Sequence, residues 1–351
     1  MRSDRVSHGA NGQLPSGAPL WGRVGQLIDR APDASALRAH RLHLAAARVW
    51  RARGLPVPPP VHAAERYAAA MITAAPRLLE RIRSACQGQL MLMKGPEVGS
   101  YYEHPSDRPF RDLDLLAEDA HAVQRALIRA GCEQVGRARG YEDAQHLCPL
   151  AWPGIPVIIE VHHRPNHPPW LASPSSEAVL ALGVASATGV DGLLGPDPAA
   201  HALLLLAHSW AHQPLGRLAD LVDLAAVLAG RQLGEAEVIA RAWGWEGMWR
   251  VSVAVAEAIL GNREPPMAAR VWARHLACAR DRIVLENHLA RVAAPIWALP
   301  GRRAPAALAG VLRSVAMRRD DEPWTQKLRR SRLAFAHALS TKSNHERMLL
   351  G

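Results

Sequence analysis

A chain of 351 residues is long enough for roughly two domains at about 100–200 residues each, and 49% hydrophobic with 21% charged residues is the composition of a globular protein, which excludes a chain disordered throughout. The formal charge of +10 suits a polyanionic ligand. Only Lys94, Lys327 and Lys342 are lysines among 42 basic residues, however, a bias that takes weight away from nucleic-acid binding. The cysteines Cys86, Cys132, Cys148 and Cys278 are scattered with no CxxC pair, which argues against a disulfide framework or a structural zinc site and fits a reducing cytoplasm.

The opening MRSDRVSHGANGQLPSGAP carries charge without an apolar stretch, so no secretory leader is expected there. The richest apolar run, 199–207, is far shorter than the roughly 20 residues that span a bilayer. The expected setting is cytoplasmic, with no membrane partner.

Residues 1–20 carry Gly, Ser and Pro and read as a loose tail. A helical lead-in over 21–87 follows: an Ala/Leu/Arg-rich stretch to Arg53, a stop at LPVPPP (55–60), and a second helix whose apolar positions include Tyr67, Met71, Leu78, Leu79 and Ile82. The texture changes over 88–165. QLMLMKG reads as a buried strand and a turn, and 111–117 (RDLDLLA) as a strand of period two. Residues 118–130 read as a helix, and short strands are expected near 132–135 and 146–150. PVIIEVH (156–162), rich in β-branched residues, is the strongest strand of the chain. From 166 to 351 the pattern is helical, with helices expected at 199–212, 218–229, 235–243, 248–259, 268–292, 304–315 and 323–340. The fold class this predicts is α+β: a small mixed β-sheet core flanked by helices, with a helical C-terminal domain.

Chemistry concentrates in the α/β stretch. Asp112 and Asp114 are two apart on one predicted strand, so both side chains leave the same face with their Cα atoms about 6.6 Å apart. Two carboxylates that close on an apolar strand repel one another and lose solvation unless a cation lies between them. Hard oxygen donors of this kind favour Mg²⁺ or Mn²⁺. Glu160 is an acid inside the apolar run VIIEV; if its strand lies beside the aspartates, the three acids complete a two-metal site suited to phosphoryl or nucleotidyl transfer. Lys94, the one lysine of the first 326 residues, precedes Gly95 at a strand end, where it can act as a point charge on a phosphate while the glycine lets backbone approach. Arg108 and Arg111 flank the aspartates and offer forked donors for phosphate oxygens.

The ordered set KG (94–95), RPFRDLDLL (108–116) and IIEVHHR (158–164) resembles the nucleotidyltransferases of the DNA-polymerase-β-like superfamily, and within it a bacterial, uncharacterised branch carrying KG, RPxxDxDLL and [DE]xH blocks. The resemblance covers about 88–165 and extends weakly to LLLLAHSWAHQPLGRLADLVDLAAVL (203–228). It implies that Asp112, Asp114 and Glu160 hold the metal ions, that Glu160 helps deprotonate the acceptor, and that Lys94 and Gly95 stand where the superfamily has a Gly-Ser pair on the triphosphate. A wider Gly-to-Asp gap and a Glu as third acid depart from the usual pattern. The substrates implied are a nucleoside triphosphate and an unidentified acceptor. Large helical companions and only 17 aromatics favour a small molecule or peptide over a nucleic acid.

His162 shares the Glu160 strand face. His201, His208 and His212 share one face of a predicted helix, although HSWAH lacks the glutamate of a metalloprotease helix. With Asp223, residues His162, His208 and His212 are candidates to line an acceptor pocket. Two other readings stand beside the transferase: an inactive nucleotidyltransferase-like binding module, and a metal-dependent phosphohydrolase using the three-histidine face.

Overall fold

A computed structural model of the chain describes residues 14–136, 145–261, 263–317 and 323–338. Residues 1–13 of the expected tail, parts of the Arg-rich stretch and the segment after 338 lie outside the described residues. The first helix, α1 (Gly17–Arg30), begins inside the stretch read as a loose tail. The lead-in continues as α2 (Ala34–Ala39), α3 (His43–Ala52) and the long α4 (Pro59–Ala85). Asp33 sets the start of α2 by accepting the Ala36 amide at 2.8 Å, and Pro59 occupies the first turn of α4, where no amide hydrogen is needed.

Seven short strands form one mixed sheet: β1 (Met91–Leu92), β2 (Asp112–Leu116), β3 (Glu133–Gln134), β4 (Leu150–Ala151), β5 (Ile158–His162), β6 (Gly183–Ala185) and β7 (Leu194–Pro196), in the order β3-β4-β5-β2-β1-β7-β6. At its centre β2 runs parallel to β5 and antiparallel to β1. Helices α5 (Pro96–Gly99) and α6 (Ala120–Arg129) lie between these strands in the chain, and α7 (Ser176–Leu180) precedes β6. The remainder is helical: α8 (Pro198–His212), α9 (Leu218–Val227), α10 (Leu233–Ala242), α11 (Glu246–Leu260), α12 (Met267–Trp272), α13 (Arg274–Ala277), α14 (Val284–Ala298), α15 (Ala304–Ala316) and α16 (Trp324–Ala338). This is the α+β architecture the sequence predicts.

The pleat divides the sheet between two cores. Leu113 and Leu115 of β2 with Ile159 and Val161 of β5 pack among Leu78, Leu79 and Ile82 of α4 and Val123 and Leu127 of α6. Leu116 faces the other way, into a core built from α1, α8, α9 and α11. Asp112, Asp114, Glu160 and His162 alternate with the first set, so their face of the sheet looks toward the α8–α9 side. Helix α8 carries apolar residues almost all round and is buried accordingly, as expected of a helix enclosed by neighbours rather than lying on a surface.

Two features differ from the sequence reading. The hairpin β6–β7 extends the sheet into a stretch read as helical, because GVA and LGP are too short and too rich in Gly and Pro to show a period. The single helix expected over 268–292 is instead α12, α13 and the start of α14, interrupted at Ala273 and Cys278.

Candidate active site

Register brings the acids together. Asp112 pairs with Ile158, Asp114 with Glu160 and Leu116 with His162 across the parallel β2–β5 ladder. Asp114 is 1% exposed, Glu160 half-buried, and His162 fully buried. One ligand atom each from Asp114, Glu160 and His162 lies within 4.8 Å of the others, a spacing able to hold a metal ion. Asp112 is not in that trio; it stands one pleat earlier on the same face, half-buried.

The electrostatics follow from burial and neighbours. His162 Nε2 donates to Asp114 Oδ1 at 3.2 Å and lies 3.7 Å from Glu160 Oε2. Burial works against its charge, but the two carboxylates outweigh it and raise the imidazole to about 8. Lys94 Nζ stands 3.5 Å from Asp114 Oδ2. Burial would push the Asp114 carboxyl up, yet Lys94 and His162 together hold it well below the usual carboxylate range. Asp112 goes the other way: burial first, then the Asp114 charge, raise it. The Oδ2 atom of Asp114 is buried and accepts no hydrogen bond among the described residues. A buried carboxylate oxygen that accepts no hydrogen bond and has only an ammonium at 3.5 Å keeps a lone pair for a cation, so the donor set fits a divalent ion.

The turn after β1 is shaped to meet this site. Gly95 has φ +71°, and a Cβ there would lie 3.0 Å from the Asp112 carbonyl oxygen, so only glycine lets the Lys94 turn press against β2. Glu97 in α5 anchors the turn by accepting from the Ser186 hydroxyl and the Ala187 amide. Lys94 itself donates to His208 Nε2 at 2.9 Å. Burial and then the Lys94 charge hold His208 well below its ordinary value, so it stands as a neutral acceptor. The Asn166 amide nitrogen lies 3.1 Å from His212 Nε2 and 3.3 Å from His208 Nδ1, which places both histidines at the rim of the site.

Arg108 and Arg111 separate. Arg108 is buried and binds Asp223 with both arms of its fork, Nε at 3.2 Å and Nη2 at 3.0 Å, while the Tyr102 hydroxyl donates to the same carboxylate at 2.7 Å. Burial opposes the guanidinium charge, but Asp223 outweighs it and raises the group further. Much of the donor capacity expected for phosphate is therefore directed at Asp223, which in turn is an ion-pair partner in this arrangement. Arg111 is exposed at the entrance to β2. His201 is fully buried and donates from Nε2 to the Met93 carbonyl at 2.8 Å. Among the described residues no three-ligand cluster includes His201, His208 or His212.

The sequence reading passes over two further residues. Arg41 and Arg217 line a cleft with Lys94, Arg108, His208 and His212. One arginine among 39 carries no local signal, and these two stand far apart in the chain.

No helix among the described residues is long and apolar enough to cross a membrane. No curated protein and no solved structure matches the chain. Residues 34–261 match the family described as uncharacterised nucleotidyltransferase, a span that takes in the lead-in from α2, the whole sheet and the helices through α11. Nucleotidyltransferases act on nucleotides and usually use divalent metals, for which the Asp114–Glu160–His162 group offers a site. With an acidic strand pair beside a lysine turn and a match over most of its length, the chain belongs to the uncharacterised nucleotidyltransferase family.

Proposed function

We propose that this protein is a metal-dependent nucleotidyltransferase of the cytoplasm that moves a nucleoside monophosphate from a nucleoside triphosphate to an acceptor hydroxyl. The observation that carries the reading is the buried Asp114 carboxylate, whose Oδ2 accepts no hydrogen bond and lies 3.5 Å from the Lys94 ammonium, beside the Glu160–His162 pair. In this reading Asp112, Asp114 and Glu160 hold Mg²⁺ or Mn²⁺, since carboxylate oxygens suit such hard cations. When bound, the metal supplies charge neutralisation to the phosphate oxygens.

The chain's own groups do the rest. Lys94 and the Gly95 turn meet the triphosphate, with Arg111 at the entrance and Arg108 positioning the wall through Asp223. His162 keeps Asp114 oriented by donating to Oδ1. Glu160, the most exposed of the trio, takes the proton as the acceptor oxygen bonds to the α-phosphorus and the bond to the pyrophosphate oxygen breaks. Most of the acceleration in such transfers comes from positioning and charge complementarity. Of the acceptor-pocket candidates, His208, His212 and Asp223 line the same cleft as Lys94, which leaves the His162 side for the acceptor, a small molecule or peptide rather than a nucleic acid.

Calorimetry with each nucleoside triphosphate, with and without Mg²⁺, followed by label transfer from an α-labelled triphosphate to components of a cell extract, tests the reading. Triphosphate binding strengthened by Mg²⁺ and a labelled product are expected, with the Mg²⁺ effect and the label both lost in Asp114→Asn. Triphosphate binding that Mg²⁺ does not strengthen, or no triphosphate binding at all, would favour a binding module without chemistry.

A further inference from the structure

Two segments distant in the chain are tied so that their arginines enter the cleft together. Arg41 lies in the turn between α2 and α3, and Arg217 in the loop between α8 and α9. The Leu218 amide donates to His40 Nδ1 at 3.3 Å, the Ala219 amide donates to the His40 carbonyl at 3.2 Å, and His40 Nε2 donates to the Arg280 carbonyl at 2.9 Å. On the preceding flank of Arg217 in the chain, the buried Arg282 donates to the Pro214 and Leu215 carbonyls at 2.8 and 2.7 Å, and His275 Nε2 meets the Gly216 carbonyl at 3.1 Å. The Arg217 loop is thereby fixed on both flanks by buried polar side chains.

The arrangement is held against local preference. Arg41 has φ +58° and Leu215 φ +51°, left-handed conformations that L side chains with a Cβ adopt only at a cost of about 1–3 kcal/mol. Among the described residues neither Arg41 nor Arg217 has an ion-pair partner. Of the two carboxylates in the cleft, Asp223 is occupied by Arg108 and Tyr102, and Asp220 accepts from the Ser209 hydroxyl at 2.7 Å. Arg41 keeps an exposed part at the cleft; desolvation against the surrounding protein, then the charges of Arg217 and Arg108, lower its guanidinium, while Asp220 and Asp112 act the other way. A left-handed backbone at Arg41 and two guanidinium groups without an ion-pair partner, gathered with Lys94 and Arg108 in one cleft, point to an anion as the missing component.

We propose that Arg41 and Arg217 form a polyphosphate cradle, holding the β- and γ-phosphates of the nucleoside triphosphate opposite Lys94. The helical lead-in thus supplies part of the nucleotide site. The identity of the anion rests on the transferase reading; the existence of the cradle does not.

Titration of the full chain with inorganic tripolyphosphate, without added metal, tests the cradle by calorimetry. Binding by the wild-type protein is expected, with affinity about tenfold lower in each of Arg41→Gly and Arg217→Ala and lower still in the double variant, the effect of removing one charged hydrogen-bond donor. Glycine accepts φ +58° freely, so Arg41→Gly is expected to keep or raise the thermal midpoint while losing affinity, a split that a purely structural arginine does not produce. Unchanged affinity in both single variants, or no binding by the wild type, overturns the proposal. Excess nucleoside triphosphate is expected to displace tripolyphosphate; failure to displace it places the anion on a phosphorylated acceptor and overturns the nucleotide assignment. If the cradle binds but no variant or wild-type protein transfers label, the transferase reading fails alone. If Asp114→Asn abolishes transfer while Arg41→Gly and Arg217→Ala leave tripolyphosphate affinity intact, this inference fails alone.

Discussion

Asp114 and Glu160 are direct register partners on adjacent parallel strands, and His162, two residues beyond Glu160, donates back to Asp114. Lys94 on one oxygen and His162 on the other thus flank the buried Asp114 carboxylate, with Glu160 beside His162. The two aspartates of the motif consequently occupy different electrostatic positions, which separates the effects of replacing them.

Asp112→Asn removes a carboxylate that burial and Asp114 already disfavour, so it is expected to abolish transfer while leaving stability unchanged or slightly higher. Asp114→Asn is expected to abolish transfer and also to cost about 3 kcal/mol, because Lys94 and His162 lose the charge that compensates their burial. Urea unfolding of both variants measures the difference. Equal stability losses would contradict the asymmetry.

The Arg108–Asp223 pair joins the segment before β2 to α9 through a forked contact. Asp223→Ala leaves a buried guanidinium uncompensated and is expected to destabilise the protein by about 3–5 kcal/mol, whereas the apolar double replacement Arg108→Met with Asp223→Leu is expected to recover much of that loss. A chemical-denaturation double-mutant cycle reads the coupling. A coupling near zero would remove the pair from the positioning of the site wall.

Gly95→Ala places a methyl group 3.0 Å from the Asp112 carbonyl oxygen at φ +71°. The expected result is a stability loss of about 1–3 kcal/mol, with reduced transfer because both Lys94 and Asp112 are displaced. Thermal unfolding alongside the label-transfer assay checks it; a variant as stable and active as wild type would contradict the close approach.

Buried neutral histidines set the acid limit of stability. His40 and His201 are lowered to about 4, chiefly by burial, against an ordinary value near 6.5. In His40 both ring nitrogens are engaged, Nδ1 as an acceptor from the Leu218 amide, so a second ring proton has no place. Protonation therefore favours the unfolded chain. Stability is complete above about pH 6.5 and falls as pH drops toward 4, by up to about 3 kcal/mol per histidine. Unfolding free energy measured at steps across this window is expected to decline with acid, and less steeply in His201→Asn. A flat curve between pH 6.5 and 4 would exclude the neutral state of these rings.

The sequence by itself determined the sheet's division of labour. In DLDLL and IIEVH, period-two alternation fixes which residues share a face, and acids placed among β-branched and leucine residues single that face out as the candidate site. The KG turn was equally legible, because lysine is rare in this chain and a glycine after a strand signals a special backbone conformation. The β6–β7 hairpin was not, since three-residue strands containing Gly and Pro have no periodicity and are held by pairing with each other and with β1 and by Glu97. Tertiary structure alone decided which strand lies beside β2, and therefore that Asp114 rather than Asp112 faces Glu160 and His162. It also directed Arg108 to Asp223, and brought Arg41 and Arg217 into one cleft through His40 and Arg282. Alternation is a local property of the backbone and can be read from neighbours in the chain. Charge pairing depends on distances between segments that only the packed core brings together.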